Sequence, residues 1–157
     1  MFNSAFTQLL LIVLATLLVV AAIIDVRTFT ISNKLNLAVA LLAPVYWLAV
    51  PVTLWPEVPI QIAGGVIVFL LLAAAFYAGM MGGGDVKLAA AIALWFPPGL
   101  TIKFLVLMSV AGGVLTLALL AWHRAKHREG RPEIPYGVAI AFGGLAILAQ
   151  PYLNHFA

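Results

Sequence analysis

The chain is a succession of long apolar runs separated by short polar breaks. One run extends from Ser4 to Ile24, where Asp25 ends it; a second covers Leu35 to Val50 with Pro44 inside it; a third covers Ile60 to Ala78. A fourth, Val86 to Phe96, is short, and a fifth (Leu100 to Trp122) and sixth (Tyr136 to Tyr152) follow. A helix rises about 1.5 Å per residue, so about 20 apolar residues cross a hydrocarbon core of about 30 Å. The pattern predicts an all-α, polytopic integral membrane bundle of about six transmembrane helices. No polar stretch is long enough for a second unit, so residues 1–157 are expected to form a single transmembrane domain.

The breaks carry further expectations. Pro44 is expected to kink the second helix, and Pro51, Pro56 and Pro59 to mark a loop containing Glu57. The fourth run reaches only about 17 Å, so if Pro97-Pro98-Gly99 ends it, it cannot cross from a start at the surface. Either the run Gly82-Gly83-Gly84 lies below the headgroups and the helix starts inside the bilayer profile, or the helix continues past the prolines as a kinked span. The first reading is preferred. Three glycines allow positive φ and close packing, and irregular backbone at that depth is tolerated where protein or water surrounds it, as at a cavity or active site.

Composition agrees with the membrane class. The chain is 65% hydrophobic and 8% charged, with a mean hydropathy of +1.16, too little polar side chain to cover a soluble globule. A cleaved signal peptide fits the first run poorly, since Met1 to Gln8 holds no Lys or Arg and the run leads directly into Asp25. Cysteine is absent, which excludes disulfides and thiolate zinc sites. An outside N-terminus puts Arg27, Lys34, Lys87, Arg124, Lys126, Arg128 and Arg131 on the cytoplasmic side and leaves Lys103 outside, a strong positive-inside bias. That topology places Asp25 and Asp85 together at the cytoplasmic face; merging the fourth and fifth runs sends the basic loop to the wrong side. The net charge of +3 is thus topogenic, and the scattered basic residues make no groove-sized patch for nucleic acid.

Asp25 and Asp85 are the two aspartates of the chain, each where an apolar run meets a polar break. Asp85 follows glycine and opens a helix, so an N-cap role is its plain reading. Asp25 lies at a helix C-terminus, where the macrodipole disfavours a carboxylate; pairing with Arg27 or Lys34 is its plain reading. Together, two carboxyls at the edge of a water-accessible bundle can hydrolyse a peptide. One, ionised, takes a proton from water, and the other, kept protonated by its neighbour's charge, donates to the scissile carbonyl oxygen. The pair titrates as a unit, so sequence does not assign the proton. No Ser-His-Asp or Cys-His set competes, because the three His lie in the basic loop or near the C-terminus.

Gly82-Gly83-Gly84-Asp85-Val86-Lys87-Leu88 resembles the GxGD signature of the type IV prepilin peptidases, which are membrane aspartyl proteases. Asp25-Val26-Arg27 followed by Ile31-Ser32-Asn33 resembles that family's first-aspartate motif, D-x-R with a downstream I-P-N. Ser32 stands at the usual Pro, a change expected to loosen that turn while leaving the acid in place. Ile134-Pro135-Tyr136-Gly137-Val138-Ala139-Ile140-Ala141 is similar to the late P-Y-G-x-A-I stretch. The ordered set covers nearly the whole chain and is far more specific than a lone GxGD.

The resemblance implies that Asp25 and Asp85 are the catalytic pair. It also implies that Arg27, Asn33, Gly82, Gly83, Gly84, Lys87, Pro135, Tyr136 and Gly137 form the surrounding motif and substrate approach, with no metal and no cofactor. The implied substrate is a prepilin or pseudopilin, with a short basic cytoplasmic leader ahead of a hydrophobic helix, cut between the two at the inner membrane. Longer members carry a cysteine zinc domain after the first span and N-methylate the product. Here only Asp25 to Lys34 separates the first two runs, so the resemblance is to the short Tad-type (CpaA-like) enzymes of Flp-type pilins, with peptidase but no methyltransferase activity. Besides prepilin and lipid bilayer, a second copy of the chain or the pilus-assembly machinery are the candidate partners.

Other features are structural by expectation. His123 and His127 sit among Arg124, Lys126 and Arg128, which repel a cation, so no metal is expected there. Gly64-Gly65, Gly112-Gly113 and Gly143-Gly144 suit close helix packing. Neither phosphate-loop pattern is met by the glycine run. Lys87 either snorkels or biases the ionisation of Asp85. Trp47, Trp55, Trp95 and Trp122 near run ends suit interfacial anchoring. Two rival functions remain: a small proton- or cation-coupled transporter using intramembrane carboxylates, and a non-catalytic assembly subunit of a pilus or secretion system.

Overall fold

The computed structural model describes residues 4–126 and 133–153, so His127, Arg128 and Arg131 lie outside the described residues. Among those described, the chain forms six α-helices and no strand: α1 (Ser4–Thr28), α2 (Asn33–Ala49), α3 (Glu57–Tyr77), α4 (Gly83–Ala93), α5 (Pro98–Ala125) and α6 (Tyr136–Leu153). The apolar-run reading therefore holds, with boundaries displaced by a few residues.

The shortest helix occupies the middle. α4 packs against α2, α3 and α6, and its Leu88, Ala89, Ile92 and Ala93 are fully buried. Around it, α1 lies on α6 and α2, and α5 lies on α6, while α3 meets α5 only sparsely. Phe104 of α5 and Leu14 and Leu18 of α1 complete the buried core. Large apolar side chains such as Leu9, Ile12, Leu41, Ile67, Leu70, Val106 and Leu117 face outward. An exterior that apolar suits lipid and not water. The segments Ala5–Thr28, Glu57–Tyr77 and Pro98–Ala125 are long and apolar enough to cross a membrane, and Tyr136–Pro151 is a shorter apolar helix. The chain is a helical, multi-pass membrane protein.

Several sequence expectations need correction. Glu57 and Pro59 belong to the first turn of α3 and not to a loop; Pro59 sits where a missing N–H costs nothing, and Glu57 Oε2 accepts from the Thr53 N–H at 2.8 Å. α3 stops at Tyr77, and two residues on, Gly79 takes φ +70°, the left-handed value that glycine adopts freely. The Gly79 N–H then reaches the Phe76 carbonyl and the Met80 N–H the Ala75 carbonyl, the paired bonds of a Schellman stop. Gly82-Gly83-Gly84 is not an irregular glycine run. Gly82 is the N-cap of α4, at φ −73°, and the next two are its first helical residues. The short fourth helix does end before the prolines, and Pro98 opens α5 at a first-turn position that needs no N–H.

Trp47 and Trp95 turn into the bundle instead of outward to lipid. Both are buried: the Trp47 indole N–H donates to the Leu94 carbonyl at 3.0 Å and that of Trp95 to the Val39 carbonyl at 3.0 Å, tying α2 to α4 and its C-terminal turn. Trp55 and Trp122 are exposed. In the glycine pairs, a Cβ on Gly65 meets Leu94 at 2.5 Å and one on Gly144 meets Leu18 at 2.8 Å, whereas Gly64 and Gly113 face open space. Close packing uses one or both members of each pair, not always both.

Candidate active site

Asp25 lies inside the last turn of α1, buried to 2% exposure, and Asp85 in the first turn of α4, at 7%. Burying a carboxyl is costly unless it is hydrogen-bonded, so the partners of each define the site. Asp25 Oδ2 accepts from the Gly137 N–H at 2.7 Å, and the Val138 amide also bears on this carboxyl. Those two amides belong to the first turn of α6, where N–H groups lack the usual helical acceptor; the Val138 N–H also donates to the Pro135 carbonyl at 3.2 Å. Asp25 thus caps a different helix from the one that carries it. Neither Arg27 nor Lys34 bonds to it, and both are exposed. Asp85 Oδ2 accepts from the Gly82 N–H at 3.2 Å, the bond of an acidic third residue to its own N-cap, while Oδ1 is buried with no partner.

The turn between α1 and α2 packs between the segments that carry the two acids. Phe29 takes φ +52°, a left-handed value that a bulky residue adopts at some cost, and its N–H donates to the Asp25 carbonyl at 2.8 Å, closing α1 one turn after the acid. The chain then passes Ile31 between the two glycine sites. A Cβ on Gly84 falls 2.7 Å from the Ile31 carbonyl oxygen, and one on Gly137 falls 2.8 Å from Ile31 Cδ1 and 2.8 Å from Asp25 Oδ2. Only glycine lets these three segments meet. Ser32 does not loosen the turn as its sequence position suggests. It is the N-cap of α2 at φ −69°, a value a proline ring also imposes, and its Oγ accepts from the Leu35 N–H at 3.3 Å.

The remaining motif residues divide in two. Pro135 is buried ahead of α6, and Tyr136 packs its ring beside Gly112 and lines the cavity in front of Asp85. Gly82 lines the same cavity, and Gly83 lies under the Phe76 ring. By contrast Arg27, Asn33 and Lys87 are exposed and do not touch either acid; the Lys87 ammonium donates to Asn33 Oδ1 at 2.9 Å, pinning α4 to the start of α2. Sequence reasoning missed Asn36, whose Nδ2 donates to the Gly84 carbonyl at 2.9 Å from a buried position. A lone amide inside an apolar run was the available signal. It also missed Phe29 and Glu133, which line the cavity with Met81; nothing in their spacing marks them.

The cavity measures about 510 Å³ and opens at Asp85. It therefore gives a reactant a route to Asp85, a buried carboxyl. Among the described residues no group of three or more His, Asp, Glu or Cys side chains is arranged to hold a metal ion. The arrangement suits proton transfer to and from a bound group, which is acid–base chemistry.

The sequence model of the type IV leader peptidase family matches residues 12–117, which include both aspartates, the α1–α2 turn and all of α4. No curated protein and no solved structure matches the chain.

Proposed function

The chain belongs to the type IV leader peptidase family, and we propose that it is an aspartyl endopeptidase whose catalytic pair is Asp25 and Asp85. The observation that carries this reading is the pairing itself. Two buried acids, from α1 and α4, converge on the same turn: Ile31 lies against Gly84, the neighbour of Asp85, and against Gly137, whose N–H holds Asp25, and Asp85 lines an open cavity.

In the reaction, one carboxylate removes a proton from water as its oxygen attacks the scissile carbonyl carbon. The other, carrying the shared proton, delivers it to the carbonyl oxygen. Collapse of the tetrahedral diol breaks the C–N bond, and the leaving nitrogen takes a proton from the pair. Gly137 and Gly82 orient the two carboxyls through their amides, and the missing side chain of Gly82 leaves room for the Asp85 carboxyl itself.

The substrate is a Flp-type prepilin or pseudopilin, cut between its basic leader and its hydrophobic helix, and residues 1–157 act as one transmembrane peptidase domain. The basic residues support an outside N-terminus and a site at the cytoplasmic face of the inner membrane. The short α1–α2 connection supports a Tad-type enzyme without methyltransferase activity. Co-expression with a Flp-type prepilin tests this reading: the product's mass and N-terminal sequence should show loss of the leader and an unmethylated new terminus, and an intact precursor refutes it.

A further inference from the structure

Two open cavities meet at one place in the fold. The cavity at Asp85 and a second, of about 460 Å³ between α3 and α5, share Met80, Met81 and Tyr136. Leu72 and Ala75 of α3 form one wall of the second cavity, and Ser109, Gly113 and Thr116 of α5 the other. Thr116 returns its hydroxyl to the Gly112 carbonyl at 2.7 Å, so its polarity is spent within α5. A Cβ on Gly113 meets nothing within 4 Å, and α3 and α5 hardly touch elsewhere, so the cleft is open along about two turns of helix. The exposed residue Glu133 lines the Asp85 cavity. The two joined cavities thus bring together an apolar cleft, the buried Asp85 and the acidic side chain of Glu133.

We infer that the α3/α5 cleft seats the apolar helix of the peptide substrate while Glu133 receives the basic segment on the other side of the scissile bond. The inference rests on the peptidase reading and adds where its substrate lies. A small-residue wall on α5 lets a second helix approach closely, and the two methionines at the junction adapt to varied side chains. A lipid acyl chain suits the cleft but brings a phosphate towards Glu133, which repels it. The groove between α2, α3 and α4, of about 510 Å³, has Lys87, Asn33 and Asn36 at its polar end and suits a basic segment poorly.

The native chain has no cysteine, so single cysteines report contact cleanly. Ser109→Cys, Gly113→Cys and, in the other groove, Ile62→Cys are placed in the Asp85→Asn protein in membranes and crosslinked to a Flp-type prepilin carrying one cysteine in its apolar helix. Crosslinks from positions 109 and 113 but not 62 are expected. In the otherwise native protein, Gly113→Leu and Glu133→Lys should each raise KM for the prepilin about tenfold with kcat little changed, and Glu133→Asp should restore it. Crosslinking mainly from position 62, none from α5, or an unchanged KM in Gly113→Leu overturns the inference while native cleavage leaves the peptidase reading standing. Failure of the native protein to cleave overturns both.

Discussion

The Gly137 N–H donates to Asp25 Oδ2 at 2.7 Å across 112 residues of chain, fixing the last turn of α1 to the first turn of α6. The carboxyl is held by a helix start that it also completes, so position and capping are one interaction. A methyl group at residue 137 falls 2.8 Å from that oxygen.

Gly137→Ala should therefore displace Asp25 before it unfolds the bundle. Cleavage should fall about 100-fold, the scale of a misplacement of about 1 Å at a reacting group, while overpacking costs about 1–3 kcal/mol. Paired kcat/KM and thermal-melting measurements in detergent check this, and an unchanged kcat/KM contradicts it.

Gly84→Ala and Gly113→Ala should differ in sign. At Gly84 the added methyl meets the Ile31 carbonyl oxygen at 2.7 Å, a backbone atom that cannot rotate away, and should lower stability by about 1–2 kcal/mol after the gain in helix propensity. At Gly113 it meets nothing, so only the propensity gain of about 0.5–1 kcal/mol remains. Melting temperatures of the two variants should move in opposite directions.

Asn36→Leu removes the 2.9 Å bond to the Gly84 carbonyl, which fixes the start of α4 against α2. A loss of about 1 kcal/mol is expected, and proteolysis or melting in detergent reads it. Lys87→Gln, by contrast, breaks an exposed bond to Asn33 and should cost less than about 1 kcal/mol.

The apolar runs and the positions of the two acids were legible because hydrophobic length and charge are local properties of the chain. So was the stop before Pro97-Pro98, since proline constrains its own backbone. What the two acids bond to was not. Asp25 looks like a misplaced carboxylate on α1, and only the arrival of α6 gives it a donor. The glycine run suggested irregular backbone, yet φ at Gly82 is ordinary and its neighbours are helical; their smallness serves contacts with Ile31 and Phe76. Trp47 and Trp95 lie near helix ends like interfacial residues, and their burial follows from α4 being short and central.

Those two indoles yield another test. Trp47→Phe and Trp95→Phe each remove an indole bond to a backbone carbonyl in a packed region and should each cost about 1–2 kcal/mol. The exposed Trp55 should tolerate Phe within about 0.5 kcal/mol. Equal effects at all three positions contradict the distinction.

The most direct test is the rate of leader removal from a Flp-type prepilin by purified native protein, Asp25→Asn and Asp85→Asn in liposomes, with folding matched by melting temperature. Asn keeps an oxygen that can accept from the Gly137 or Gly82 N–H, so the helix starts stay satisfied while the proton-transfer group is lost. Cleavage by the native protein and a fall of about 10³-fold or more in each variant are expected. Cleavage by either variant within about tenfold of the native rate would assign that aspartate a capping role alone and contradict the catalytic pair.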